Sequence, residues 1–157
     1  MKKLLLTIIL LVGLFSFPTI VSASSATVRA TASSSRINVG SSTTVTVTVS
    51  GSAAIGSWQY NLNYNKSVLK LTSTSNSTYI VDYGDGSQKI ARYTYTFKGL
   101  AVGSGSISIA NAAVIDYATV NEMSVTTSGT TITVASYSTN NDLKSLTIEG
   151  GTLSPYF

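Results

Sequence analysis

Between residues 43 and 49 the chain reads Thr-Thr-Val-Thr-Val-Thr-Val. Successive side chains of an extended backbone point to opposite faces, so this run puts Val45, Val47 and Val49 on one side and hydroxyls on the other. That is a strand buried on one face, and the same period returns along the chain. Trp58, Tyr60, Leu62 and Tyr64 alternate with Ser57, Gln59, Asn61 and Asn63. Ala91, Tyr93, Tyr95 and Phe97 alternate with Arg92, Thr94, Thr96 and Lys98. Ile107 and Ile109 oppose Ser106 and Ser108, and Ile132 and Val134 oppose Thr131 and Thr133. No stretch sustains a helical period; Ser67-Val68-Leu69-Lys70 is expected to form at most one turn before a strand.

Glycine-centred breaks separate these runs at Val39-Gly40-Ser41, Ser50-Gly51-Ser52, Gly84-Asp85-Gly86, Val102-Gly103-Ser104-Gly105 and Ser128-Gly129. The two prolines are Pro18 and Pro155, so nothing between them is barred from a hydrogen-bonded ladder. Half-buried strands at this spacing pair two apolar faces, which predicts an all-β, antiparallel two-sheet β-sandwich of eight or nine strands over residues 24–135.

Composition narrows the chemistry. The chain has no histidine and no cysteine, which removes histidine-dependent triads, imidazole acid–base catalysis, thiol nucleophiles, disulfides and thiolate metal sites. Charged residues make up 10% of the sequence, and serine and threonine nearly a third. Met1-Lys2-Lys3, the apolar run Leu4 to Phe17 and the small residues at Val21-Ser22-Ala23 read as a secretory signal peptide over residues 1–23, a segment short for a membrane anchor. Without Lys2 and Lys3 the formal charge of +4 falls by two, and the remaining cations are scattered. No nucleic-acid surface and no membrane association after cleavage are expected.

Three segments, in order, resemble the cohesin family. Ile37-Asn38-Val39-Gly40-Ser41-Ser42-Thr43 and Val45 are similar to its V-x-V-G-D-T-V-x-V opening. Tyr60-Asn61-Leu62-Asn63-Tyr64-Asn65-Lys66-Ser67-Val68-Leu69 is similar to its aromatic strand ending in Tyr-Asp-Pro followed by Val-Leu. Tyr95-Thr96-Phe97-Lys98-Gly99-Leu100 through Ile107 is similar to its TFK-x-L-x-x-G-x-x-x-I strand pair. The family's Asp-Pro is Asn65-Lys66 here, and the interval from Tyr79–Tyr83 to Tyr93-Thr94-Tyr95 is short. The resemblance implies a nine-stranded jelly-roll, related to carbohydrate-binding modules, that is not an enzyme. It implies binding to dockerin-bearing secreted partners in extracellular polysaccharide breakdown, with Ca²⁺ carried by the dockerin and no cofactor on this chain. Carried over by position, the partner-binding residues are Ser57, Gln59, Asn61 and Asn63. Asp142 to Phe157 resembles the opening strand of a bacterial cadherin-like β-sandwich repeat, which makes 136–141 a linker, 142–157 a truncated first strand, and the protein a cell-surface one.

Other constellations have plainer readings. The inward parity of Trp58, Tyr60, Tyr93, Tyr95 and Phe97 marks them as core rather than a sugar-stacking platform, while Tyr79, Tyr83 and Tyr117 are left open as ligand contacts. Asp82-Tyr83-Gly84-Asp85-Gly86 lacks the ligand run of a Ca²⁺ loop and is expected to be a hairpin turn. Its carboxylates are too close in sequence for a glycosidase pair. Gly103-Ser104-Gly105 lacks the lysine and helix of a phosphate loop, and no metal site is expected. Direct carbohydrate binding and a structural spacer role stand as the alternatives to dockerin binding.

Overall fold

The computed structural model describes residues 23–73 and 76–137. Ten strands form in chain order: β1 Ser25–Ala32, β2 Arg36–Asn38, β3 Ser42–Gly51, β4 Ile55–Tyr64, β5 Leu69–Leu71, β6 Tyr79–Tyr83, β7 Ile90–Gly99, β8 Gly103–Asp116, β9 Ser124–Ser128 and β10 Thr130–Ala135. They make two five-stranded sheets, the first in the order β5-β7-β3-β1-β9 and the second β2-β10-β8-β4-β6. The proposed signal peptide, apart from Ala23, and the cadherin-like segment 142–157 lie outside the described residues, as does most of the linker 136–141.

The sandwich is as the alternation predicts, with two differences. Ten segments stand where eight or nine strands were expected, because the first and last strands each break in two and change sheets. β1 lies in the first sheet and β2 in the second, and β9 and β10 divide in the same way. The first break is a serine bend held by Thr43, whose hydroxyl meets Ser33 Oγ at 3.0 Å and accepts from the Ser34 N–H at 3.1 Å. The second break is Gly129, where a Cβ would stand 2.3 Å from the Ile107 carbonyl oxygen, so only glycine lets the chain pass. The pairing is also not wholly antiparallel: β1 runs parallel to β9 and β2 parallel to β10. Strands far apart in sequence need no hairpin between them, and hydrophobic alternation carries no information about direction.

The core fills the space between the sheets. Val28, Val45, Val47, Val49, Tyr95 and Phe97 from the first sheet meet Trp58, Tyr60, Leu62, Val114, Ile132 and Val134 from the second, all at most 3% exposed. Val68 and Leu69 close one end, and Ile55 and Met123 the other. Each such side chain contributes about 1.5–3 kcal/mol by leaving water. Residues 66–68 form the single turn expected there, closed by the Leu69 N–H donating to the Asn65 carbonyl at 2.9 Å. The buried apolar set lies wholly between Ala26 and Val134 and every strand finds its partner within 25–135, so this stretch has the makings of an independent folding unit.

Ile132 is fully buried on β10. Ile132→Ala is expected to lower stability by about 2–5 kcal/mol, read from urea denaturation of residues 23–137.

Candidate functional site

β4 is flanked by β6 on one side and β8 on the other, and its two faces have different work. The inner face is aromatic and tied across the sandwich. Trp58 Nε1–H donates to the Tyr93 hydroxyl at 2.8 Å, and that hydroxyl donates to Asp82 Oδ2 at 2.6 Å. The Tyr60 and Tyr95 hydroxyls meet at 2.8 Å, and Tyr95 donates to the Ser77 carbonyl at 3.0 Å. Since the single Tyr95 proton goes to Ser77, Tyr60 is the donor within its pair. Tyr60 also meets the Tyr93 ring edge-on, with centroids 5.7 Å apart.

These bonds set the titration of the cluster. Burial raises the Tyr60 phenol far above its ordinary 10.0, and the Tyr95 hydroxyl raises it further. Burial raises Tyr93 as well, with the adjacent Asp82 carboxylate adding to the effect. Tyr95 is raised by burial against a smaller opposing pull from the Tyr60 donor. The phenols therefore serve as hydrogen-bonding groups that keep their protons, and none is poised for acid–base work.

Ser57, Gln59, Asn61 and Asn63 all lie on the outer face of β4. The first three are half-buried and Asn63 is exposed. The register shows what covers them. On β6, Tyr83, Val81 and Tyr79 stand opposite Ser57, Gln59 and Asn61, and on β8 Ile115, Ala113 and Ala110 do so. A row of amides and a hydroxyl thus runs between an aromatic strand and an aliphatic one. Two depressions flank the row. One of about 380 Å³ is lined by Asn61, Asn63, Thr78 and Tyr79, and one of about 260 Å³ by Ser57, Gln59, Val81, Tyr83, Ala113 and Ile115. Tyr79, Val81 and Tyr83 are 54, 47 and 74% exposed. Asn61 Oδ1 is buried and has no hydrogen-bond partner.

The sequence reading names the Ile107–Ile109 half of β8 but not that β6 and β8 flank the row, for separate reasons. Tyr79-Val81-Tyr83 does alternate, yet a short run does not reveal which sheet it joins. On β8 the parity changes midway, because Asn111 adopts a left-handed conformation (φ 50°) and the register slips between the Gln59 and Asn61 pairs. That bulge lets Ala110 and Ala113, three positions apart, share one face.

The carboxylates at 82 and 85 do not form the expected hairpin. β6 belongs to the second sheet and β7 to the first, so residues 84–89 carry the chain from one sheet to the other. Asp82 turns inward to Tyr93, whereas Asp85 Oδ1 accepts from the Ser87 N–H at 2.9 Å and the Ser87 hydroxyl at 2.6 Å. Those two bonds hold the Asp85 carboxyl below its ordinary range. No group of three or more acidic, histidine or cysteine side chains that could hold a metal is found among the described residues. Tyr117 is exposed and lies over Gly86, where a Cβ would come within 2.4 Å of its ring.

Residues 27–96 match the family model of the cohesin domain. Over that stretch the sandwich is similar to the cohesin domain. Its fold is that of solved cohesins at low sequence identity. The non-cellulosomal cohesin of the hyperthermophilic archaeon Archaeoglobus fulgidus is 20% identical with a TM-score of 0.54, over 71% of this chain and 92% of that one. The sixth cohesin of Acetivibrio cellulolyticus scaffoldin B, solved with a Cel5 dockerin mutant, is 14% identical with a TM-score of 0.53, over 73% of this chain and 100% of that one. The Coh-OlpC–Doc435 complex of Clostridium thermocellum gives 8% and 0.54, over 73% and 97%. No curated protein matches the chain. At the level of the family, cohesin domains are non-catalytic modules that bind dockerins.

A phenol held neutral by the fold favours the native state only until the unfolded chain ionises. Stability is therefore expected to be insensitive to these tyrosines below pH 10 and to fall as the pH rises above it. Tyr93→Phe should reduce the slope, read as melting temperature against pH.

Proposed function

We propose that this sandwich is a cohesin domain and binds a dockerin-bearing partner protein through the outer face of the second sheet, centred on Ser57, Gln59, Asn61 and Asn63. The observation that carries the reading is the buried, unpartnered oxygen of Asn61 beside a depression on that face. A buried acceptor left without a donor is costly, and a partner that supplies one recovers the loss. The amides on either side both donate and accept, while Tyr79 and Tyr83 offer the rigid aromatic area in which binding energy concentrates. A flat, mixed surface of this kind suits a folded protein partner covering about 800 Å² per side. Solved relatives in complex with dockerins support the same class of partner.

The setting follows from the leader and the family. The protein is exported and acts at the cell surface, where it holds a partner engaged in polysaccharide breakdown. Ca²⁺ belongs to the dockerin. Exposed tyrosines beside an amide row also favour a second reading, direct carbohydrate binding, in which Tyr79 or Tyr83 stacks on a sugar ring.

Calorimetry of residues 23–137 against dockerins with and without Ca²⁺, then against soluble and insoluble polysaccharides, separates the readings. Ca²⁺-dependent heat with a dockerin is expected; retention on polysaccharide alone selects the second reading, and silence in every arm removes both. Asn61→Ala should weaken dockerin binding about five- to thirtyfold, or ~1–2 kcal/mol. Its melting temperature should not fall, because the amide oxygen it deletes bonds to nothing within the domain.

A further inference from the structure

Each sheet of the sandwich is open, so the fold has four edge strands: β5 and β9 in the first sheet, β2 and β6 in the second. Three are poor templates for another strand. β2 and β5 are three residues long and carry Arg36 and Lys70, and β9 is mostly hydroxyl-bearing, as Ser-Val-Thr-Thr-Ser. Short length and charge are the usual protections of an edge. β6 is longer than β2 and β5, and its five residues, Tyr79-Ile80-Val81-Asp82-Tyr83, include no proline and one charge, that of Asp82, whose carboxylate accepts from the Tyr93 hydroxyl.

The backbone groups on the free side of β6 follow from its ladder. The Leu62 N–H donates to the Thr78 carbonyl and the Gly84 N–H to the Gly56 carbonyl. Hydrogen-bonded pairs alternate along an antiparallel ladder, so residues 78, 80, 82 and 84 face β4 and residues 79, 81 and 83 face outward from the sheet edge. The Tyr79 N–H is taken up by Ser77 Oγ and the Tyr83 N–H by Asp82 Oδ1. Val81 has both its N–H and its carbonyl open.

The strand is also symmetric about that residue, since Tyr79 and Tyr83 lie two positions to either side of Val81. We infer that β6 is a self-association edge: a second copy of this chain pairs antiparallel with it across a two-fold axis at Val81, joining two five-stranded sheets into one of ten. In this register Val81 bonds to its counterpart through two N–H···O=C bonds with no displacement. Tyr79 of each copy stands opposite Tyr83 of the other, and their N–H groups exchange a side-chain acceptor for a main-chain one. Asp82 falls opposite Ile80, so no like charges meet. A two-fold pairing of β6 with itself sets 79 against 83 and 80 against 82, so it places an aromatic opposite an aromatic. Pairing at the edge leaves the outer face of β4 open, while Tyr79 and Tyr83 border both surfaces, so the dimer is tested without any dockerin present.

Sedimentation equilibrium on residues 23–137 tests it. The unaltered domain is expected to dimerise reversibly below 1 mM, as a small interface does. Val81→Lys places two ammonium groups at the axis and should weaken the dimer about tenfold or more. Val81→Pro removes an N–H that β4 does not use and should abolish it without loss of melting temperature. The register is tested by charge pairs. Tyr79→Lys with Tyr83→Glu sets opposite charges across the interface and should retain the dimer, whereas Tyr79→Lys with Tyr83→Lys should dissociate it. A monomer at every concentration up to 1 mM, a dimer indifferent to Val81→Lys, or equal behaviour of the two double variants would overturn the inference.

Discussion

The cross-sheet bonds of β4 organise everything on its far side. Trp58 and Tyr60 are buried, yet each has a polar atom that needs a partner, and both partners lie on β7 in the opposite sheet. Tyr93 and Tyr95 pass the bonding on to Asp82 of β6 and to the Ser77 carbonyl just before it. Two aromatic pairs thereby hold the sheets at a fixed separation and anchor β6 beside β4. Strand geometry makes this local rigidity visible outside. With every second residue of β4 locked inward, Ser57, Gln59, Asn61 and Asn63 have no freedom to turn elsewhere.

The same anchoring explains why an exposed strand persists at the sheet edge. β6 buries little of itself, and Tyr79, Val81, Asp82 and Tyr83 are all exposed. Its hold comes from the ladder to β4 and from the Asp82–Tyr93 bond. An aromatic, open edge beside an amide-rich face is an unusual surface for a domain with nothing to bind. Face and edge are separable: one presents side chains and the other main-chain groups, so one domain can offer both.

Much of the architecture was legible in the residues because burial on one face leaves a period of two. The inward sets on β3, β4, β7 and β10 are those the alternation named, and the four polar residues of β4 lie on the face it assigned them. The aromatic cluster is core, as its parity required. What failed did so where the signal is two-fold ambiguous. Asp82 to Gly86 carries the residues of a hairpin turn, but the same flexible sequence serves a crossing between sheets. The parallel pairings of β1 and β2 depend on strands a hundred residues away.

The sequence by itself determined which residues are inside, which strand carries the amide row, and which chemistries are absent, since each follows from residue type and local period. The tertiary structure decided which strands flank that row, that the β8 bulge brings Ala110 and Ala113 to the same face, that Asn61 Oδ1 is left without a donor, and that β6 ends its sheet. Those are properties of neighbours. A strand's own residues specify its two faces through local sterics, but its edges are specified only by what other strands leave unpaired.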